Sequence, residues 1–335
     1  MKGIKIIIAG NLLPSDDNLP LFEKGESKTI FGEEVCYLFQ TADYSIANLE
    51  GPLTDSAEPQ RKDGSCIKAP KASILGIKNL GLSAVTLAND HIADFGQKGI
   101  DDTVEVLRYA GIQHVGITRK DTPLLTDKYL SLEISGKKIC IYNVSDSFFN
   151  NPTTDALGVN VYDEQTVCDE IKCLKQQHDY LLVIYHGGDE FFQYPTPQTR
   201  TRFHHMADCG ADFITAQHAH CIGCEEWYNG SYLLYGQGNF LFASQKKYPA
   251  LTKQGLLTEV IITSEGLTVE NHIVITYYDR LNYDAVQSLT DFKDRSNRLN
   301  DEEYILQLYK KLKDDEAKQQ QGTNPLQRMF KWLFK

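Results

Sequence analysis

The sequence predicts an α/β fold in which two mixed sheets pack as a sandwich with helices outside, and three observations lead there. Short apolar runs alternate with segments of helical spacing from Lys5 to Ala216, the pattern of βαβ units around a parallel core. Beyond His220 the pattern changes to runs joined by tight turns, as in Glu225 to Tyr228, Asn229-Gly230 and Ser231 to Tyr235, which supply antiparallel strands. Several strand-like runs end in side chains able to bind a metal, and open α/β sheets bind ligands beyond the carboxyl ends of their strands.

In chain order, the β-branched run Lys5 to Ala9 reads as a buried parallel strand ahead of Gly10-Asn11. Residues 11 to 32 are polar and hold Pro14, Pro20 and Gly25, so they read as loop. Glu33 to Gln40 has helical spacing, and the strand Tyr44 to Ala47 leads into Asn48-Leu49-Glu50. Gly51 to Pro70, broken by prolines and glycines, reads as an irregular loop near a site. Its Arg61, Lys62 and Lys68 are candidate anion contacts or, alternatively, solvated loop charges.

Lys71 to Leu80 reads as a helix, and the strand Ala84 to Leu87 precedes Asn89-Asp90-His91. Lys98 to Ala110 is an amphipathic helix with Ile100, Val104 and Leu107 on one face, closed by Gly111. Tyr129 to Ile134 and Lys138 to Val144 form a hairpin across Ser135-Gly136-Lys137. Helices at Asp163 to Gln176 and Pro197 to Cys209 flank the strand Tyr180 to Tyr185, which ends at His186. The strand Phe213 to Ala216 ends at His218-x-His220, and Gly236 to Asn239 reads as a tight turn supporting a site. Gly255 to Thr263 and Thr268 to Tyr277 form a further hairpin.

Residues 1–285 are thus expected to form one domain and residues 286–335 a helical extension. Gln319-Gln320-Gln321-Gly322 reads as a break, followed by a tail with Leu326, Met329, Phe330 and Leu333 on one face. Arg328, Lys331 and Lys335 make that tail, residues 324–335, basic. It fits a membrane surface, or else packs on its own domain or a second subunit.

The chain has 335 residues, 41% hydrophobic and 24% charged, with a net charge of -11. Such a balance fits a soluble globular protein and argues against nucleic acid as the main partner. The first apolar run is too short for a secretory signal, and no run reaches the roughly 18 apolar residues of a spanning helix. A cytoplasmic protein is the expectation, with the tail either at the inner membrane face or packed on its own domain or a second subunit. The 8 cysteines are scattered and read as reduced thiols rather than a disulfide framework.

Two imidazoles two residues apart just past a strand end, His218 and His220, can turn toward one point, as a divalent metal requires. Cys221-x-x-Cys224 beside them raises the alternative of a closed zinc site. His204-His205, inside an expected helix, reads as structural.

Six motifs, in order, resemble the CapA family of capsule and poly-γ-glutamate synthesis proteins. They are Asn48-Leu49-Glu50-Gly51-Pro52, Leu87 to Gly96, His186-Gly187-Gly188-Asp189-Glu190, Gly210-Ala211-Asp212, His218-Ala219-His220 and Gly236 to Phe240. The resemblance runs from about residue 4 to residue 242. It implies the four-layer αββα sandwich of metallophosphoesterase type, with a metal centre at the sheet edge.

On that expectation His186, His218 and His220 are nitrogen ligands, Glu50 and Asp90 anionic oxygen ligands, and Asn11 an amide ligand. His91 is the candidate general acid, and Asp94, Glu190 and Asn239 are supporting residues. The family usually carries Asp where this chain has Asn11, and Asn where it has Asp90. Glu50 and Asp90 together balance a single divalent ion. One tight Mn, Fe or Zn ion and a weaker or absent second are therefore expected. The expected activity is hydrolysis of a phosphate-bearing substrate or anionic polymer precursor. The alternative is a non-catalytic assembly subunit on the same scaffold.

Overall fold

A computed structural model describes residues 3–15, 17–60, 62, 65–118, 127–146, 158–242, 249–277, 280–283 and 289–321. Arg61 and the basic tail at 324–335 lie outside these residues. In the first sheet, β1 (Ile4–Leu12), β2 (Tyr44–Leu49), β3 (Ala84–Thr86) and β4 (Gln113–Val115) run parallel. On the other side of β1 the antiparallel strands β12 (Gln254–Thr263), β13 (Gly266–Tyr277) and β14 (Arg280–Tyr283) complete the row. The short β11 (Asn239–Leu241) adds to the end of β1 in parallel.

The second sheet runs β5 (Tyr129–Ile134), β6 (Lys137–Ser145), β7 (Tyr180–Gly187), β8 (Phe213–His218), β10 (Ser231–Leu234) and β9 (Glu225–Tyr228). Its four middle strands are parallel, and both edges are antiparallel.

Alternation along the strands sorts the core into three layers, because successive side chains point to opposite faces. Ile4, Ile6 and Ile8 of β1 meet Leu182 and Ile184 of β7 between the sheets. Ile7 and Ala9 face the other way, toward α1 (Leu19–Lys24), α2 (Ser27–Phe31), α3 (Glu33–Thr41), α4 (Ile74–Leu80) and α5 (Gly96–Ala110). Leu181, Val183 and Tyr185 likewise turn from the sandwich toward α6 (Glu164–Lys175) and α7 (Pro197–Asp208). The result is the expected helix, sheet, sheet, helix order.

Residues 11–32 depart from the expected loop by forming α1 and α2. Pro20 lies in the first turn of α1, where its missing N–H costs nothing, and Gly25 closes the helix in the left-handed region at φ 72°. The prolines and glycines that suggest a loop are thus helix punctuation. Phe22, Ile30 and Phe31 are buried below.

The cysteine expectation is also corrected, since Cys168 on α6 and Cys209 just after α7 form a disulfide. Their sequence separation of 41 is bridged by helix packing, which composition does not reveal. The described cysteines Cys36, Cys66, Cys140, Cys173, Cys221 and Cys224 are free thiols.

The C-terminal segment supplies α8 (Thr290–Asn297) and α9 (Glu302–Gln321). Leu299 and Ile305 enter the outer core of the second sheet, and Arg295 donates to the carbonyls of Gly223 and Ile222. α9 continues through Gln321, past the start of the expected break.

Buried Asp102 on α5 ties the loop after β2 to that helix, accepting from Thr54, Lys71 and Lys98. Burial alone would raise its pKa, but these partners hold the carboxyl at about 2 instead of 3.8. A depressed folded pKa stabilises above the unfolded value, and the stabilisation is lost as pH falls from 3.8 through about 2. Asp102→Asn is therefore expected to flatten the acid limb of a Tm-against-pH curve in that window and to lower Tm at neutral pH. An unchanged acid limb would refute this.

Candidate metal centre

The site forms where parallel strands of both sheets end. β2 delivers Asn48 and then Glu50, the turn after β3 delivers Asn89 and Asp90, β7 delivers His186, and β8 delivers His218. Adjacent registers bring these ends together, with Asn11 opposite Asn48 and Gly187 opposite His218. His218 and His220 have φ angles of 96° and 54°, a strained region for non-glycine residues that turns the chain sharply at the site.

One ligand atom from each of Glu50, Asp90, His186 and His218 lies within 4.8 Å of the others. The first sheet thus contributes two carboxylates and the second sheet two imidazoles. His186 Nε2 is 2.9 Å from Asp90 Oδ1 and 3.4 Å from Glu50 Oε1, and His218 Nδ1 is 3.5 Å from Asp90 Oδ1.

Electrostatics favour a cation here. Burial, and next the Asp90 carboxylate, push the Glu50 carboxyl well above its usual range. Burial would raise Asp90 too, but His91, His218 and His186 hold it well below its usual value. Burial lowers His186 to about 4, leaving a neutral imidazole of the form that binds metals. For His218 the Asp90 carboxylate outweighs burial and raises the pKa. Glu50 Oε1 is buried with no hydrogen-bond partner among the described residues, a costly state for a carboxylate oxygen unless a cation meets it. This donor set fits a divalent ion.

Asn48 is the hub that positions the ligands, and it was not among the expected site residues. Its Nδ2 donates to Asn11 Oδ1 at 3.0 Å and to Glu50 Oε2, while its Oδ1 accepts from Thr86 and Asn89. The available signal was its place two residues before Glu50 at the end of a strand. Asn89 Oδ1 in turn accepts from the backbone N–H groups of His91 and Ile92, fixing the turn that presents Asp90.

His220 is not part of the four-residue group, and Asn11 links it to Asn48 beside that group. His220 Nδ1 lies 2.9 Å from Asn239 Oδ1 and 3.1 Å from Asn11 Nδ2, and Asn11 Nδ2 donates to Asn239 Oδ1 at 3.2 Å. Burial lowers His220 to about 3. Asn239 begins β11 rather than closing a tight turn, and its Nδ2 is tied to the Thr252 carbonyl.

His91 Nδ1 meets Asp94 Oδ2 at 2.7 Å, and its Nε2 is 3.4 Å from Asp90 Oδ2. Lys62 pairs with Asp94 and donates to the Asp90 carbonyl at 3.0 Å, so this lysine braces the site from within. Lys68 donates to the Ser56 carbonyl and covers the Phe95 ring at 4.9 Å. Exposed Glu190 acts electrostatically on Glu50 and His218. Cys221 and Cys224 are buried, and burial raises both thiols, Cys221 to about 12. Neither joins a potential metal-binding group among the described residues.

Comparison with known proteins assigns the chain. Residues 5–244 match the family described as bacterial capsule synthesis protein PGA_cap. The chain belongs to the PGA_cap family. Among relatives of this PGA_cap protein, the capsule biosynthesis protein CapA of Bacillus anthracis is 26% identical over 212 residues, 61% of this chain and 51% of that one. The PGA biosynthesis protein CapA of Bacillus subtilis (strain 168) is 28% identical over 213 residues, 61% of this chain and 54% of that one. The aligned segment thus spans about half the length of either relative.

A solved structure of a protein assigned as a 5′-nucleotidase from Staphylococcus aureus superposes on this PGA_cap chain with a TM-score of 0.50 at 12% identity. The superposition covers 89% of this chain and 58% of that one, and the likeness concerns the fold alone. The PGA_cap chain therefore has the metallophosphoesterase-type sandwich. No helix among its described residues is long and apolar enough to cross a membrane.

Proposed function

We propose that the protein is a metal-dependent hydrolase of phosphoesterase type, acting in the making or remodelling of capsule polymer or poly-γ-glutamate. The observation that supports hydrolysis best is the grouping of Glu50, Asp90, His186 and His218 beside a histidine left over for proton transfer, His91. The polymer context rests on family membership and on the relatives' names.

Glu50, Asp90, His186 and His218 would hold one divalent ion, Mn, Fe or Zn by donor type. The chemistry such an ion supplies is Lewis acidity and activation of water for attack near neutral pH. Donation of His91 Nδ1–H to Asp94 fixes the ring and leaves Nε2 to carry a proton to a leaving oxygen. Lys62 keeps Asp94 in place and adds positive charge beside His91, which suits a phosphate-bearing substrate. Asn11, His220 and Asn239 add no carboxylate, so any second ion would bind there more weakly.

Asn11 also favours a second reading, a scaffold that binds without catalysing, because its amide is engaged with Asn48 and Asn239. Hydrolysis of p-nitrophenyl phosphate and its diester with added Mn²⁺ separates the two. Activity is expected in the native chain and should vanish in His218→Ala. His91→Asn should keep its metal but lose about 10²- to 10⁴-fold in rate. A metal-loaded protein inactive on both esters would support the scaffold reading, and full activity in His218→Ala would defeat the proposed centre.

A further inference from the structure

A second cluster of metal-binding side chains lies away from this centre, between α6 and α7. Ligand atoms of Cys168, Cys209 and His205 lie within 4.8 Å of one another. Cys168 follows Glu164 by one helical turn, and Cys209 follows His205 in the same way, so the two pairs face each other across the helix contact. His205 Nδ1 is 3.1 Å from Glu164 Oε1, the arrangement by which a carboxylate orients an imidazole behind a metal.

A purely structural disulfide needs neither an imidazole nor a carboxylate at its edge. Both sulfurs belong to the core of the second sheet, whereas the His205 side chain is 39% exposed, so an ion has a route from solvent. We propose that the reduced protein binds Zn²⁺ through Cys168, Cys209 and His205, and that the disulfide is the metal-free, oxidised state of this site.

The Cys₂His set suits Zn²⁺, with water in the fourth position. Opening the bond takes two electrons and two protons from a dithiol, which itself becomes a disulfide. With a phosphine instead, water gives its oxygen to the phosphine and its two protons to the sulfurs. Zn²⁺ then displaces both thiol protons to solvent. The site would exchange one crosslink between α6 and α7 for another, according to redox poise and zinc supply.

The test uses Co²⁺ as a probe on the full chain after phosphine reduction and removal of excess reagent. A thiolate-to-cobalt absorption band reports sulfur ligands, which the Glu50, Asp90, His186 and His218 group lacks. The band is expected in the reduced protein and in Cys221→Ser/Cys224→Ser, and Zn²⁺ should bleach it. It should be absent without reduction and in Cys168→Ser/Cys209→Ser. His205→Ala, which keeps both sulfurs, should weaken cobalt binding at least tenfold while far-UV circular dichroism is unchanged. No band in the reduced protein, a band surviving Cys168→Ser/Cys209→Ser, or unaltered affinity in His205→Ala would overturn the proposal.

Discussion

Asp90→Asn is expected to empty the candidate metal centre. Asp90 Oδ1 is the oxygen that both His186 Nε2 and His218 Nδ1 approach, at 2.9 and 3.5 Å, so one substitution weakens the whole set. It also removes one of the two negative charges facing the ion. Residues behind a metal's ligands typically contribute about 10- to 100-fold to affinity, and loss of a direct carboxylate ligand should exceed that. Elemental mass spectrometry on chelator-free protein should find about one equivalent in the native chain and close to none in the variant.

Stability in chelator should fall as well. The Asp90 pKa, depressed in spite of burial, means that its carboxylate stabilises the folded chain through His91, His218 and His186, and relief of Glu50, pushed up first by burial and then by Asp90, offsets only part of that loss. A lower Tm in chelator, together with lost metal, is the expected pair of results. Retained metal in Asp90→Asn would remove the basis for this ligand set.

Gly10→Ala should have a large effect on folding. A Cβ at Gly10 would stand 2.0 Å from the Gly238 carbonyl oxygen, so backbone rather than a yielding side chain opposes it. β11 would have to leave β1, disturbing the Asn11 and Asn239 pairing. Overpacking of this kind costs about 3 kcal/mol or more when no side chain can move aside. Gly136→Ala is the control, since nothing lies within 4 Å of its Cβ and only its φ of 76° opposes the change. That control should cost about 1–2 kcal/mol. Urea unfolding midpoints compare the two, and equal losses would show that the contact between β1 and β11 yields easily.

Strand ends were the legible part of this molecule. Apolar runs that stop at a histidine, an aspartate or an asparagine, together with the family resemblance, point to Asn11, Glu50, Asp90, His186, His218 and His220, and of these the structure groups Glu50, Asp90, His186 and His218. Roles set by packing were less accessible. Lys62 reads as an anion contact in sequence, yet it is held by Asp94 and the Asp90 carbonyl. Asn239 reads as part of a turn because Gly236 and Gly238 lead into it, but pairing with β1 makes it a strand residue. Cys168 sits in α6 and Cys209 just after α7, and only the packing of α6 on α7 joins them.

The division of the ligand set between the sheets has a kinetic consequence. An ion gripped from both halves of the sandwich would keep Glu50, His186 and His218 if the turn that carries Asp90 moved alone, so that motion loosens it without freeing it. Full release would need Glu50 or the imidazoles to give way too, and these stand at strand ends held by the apolar core between the sheets. Residence time of the metal then becomes a gauge of how often the two halves breathe.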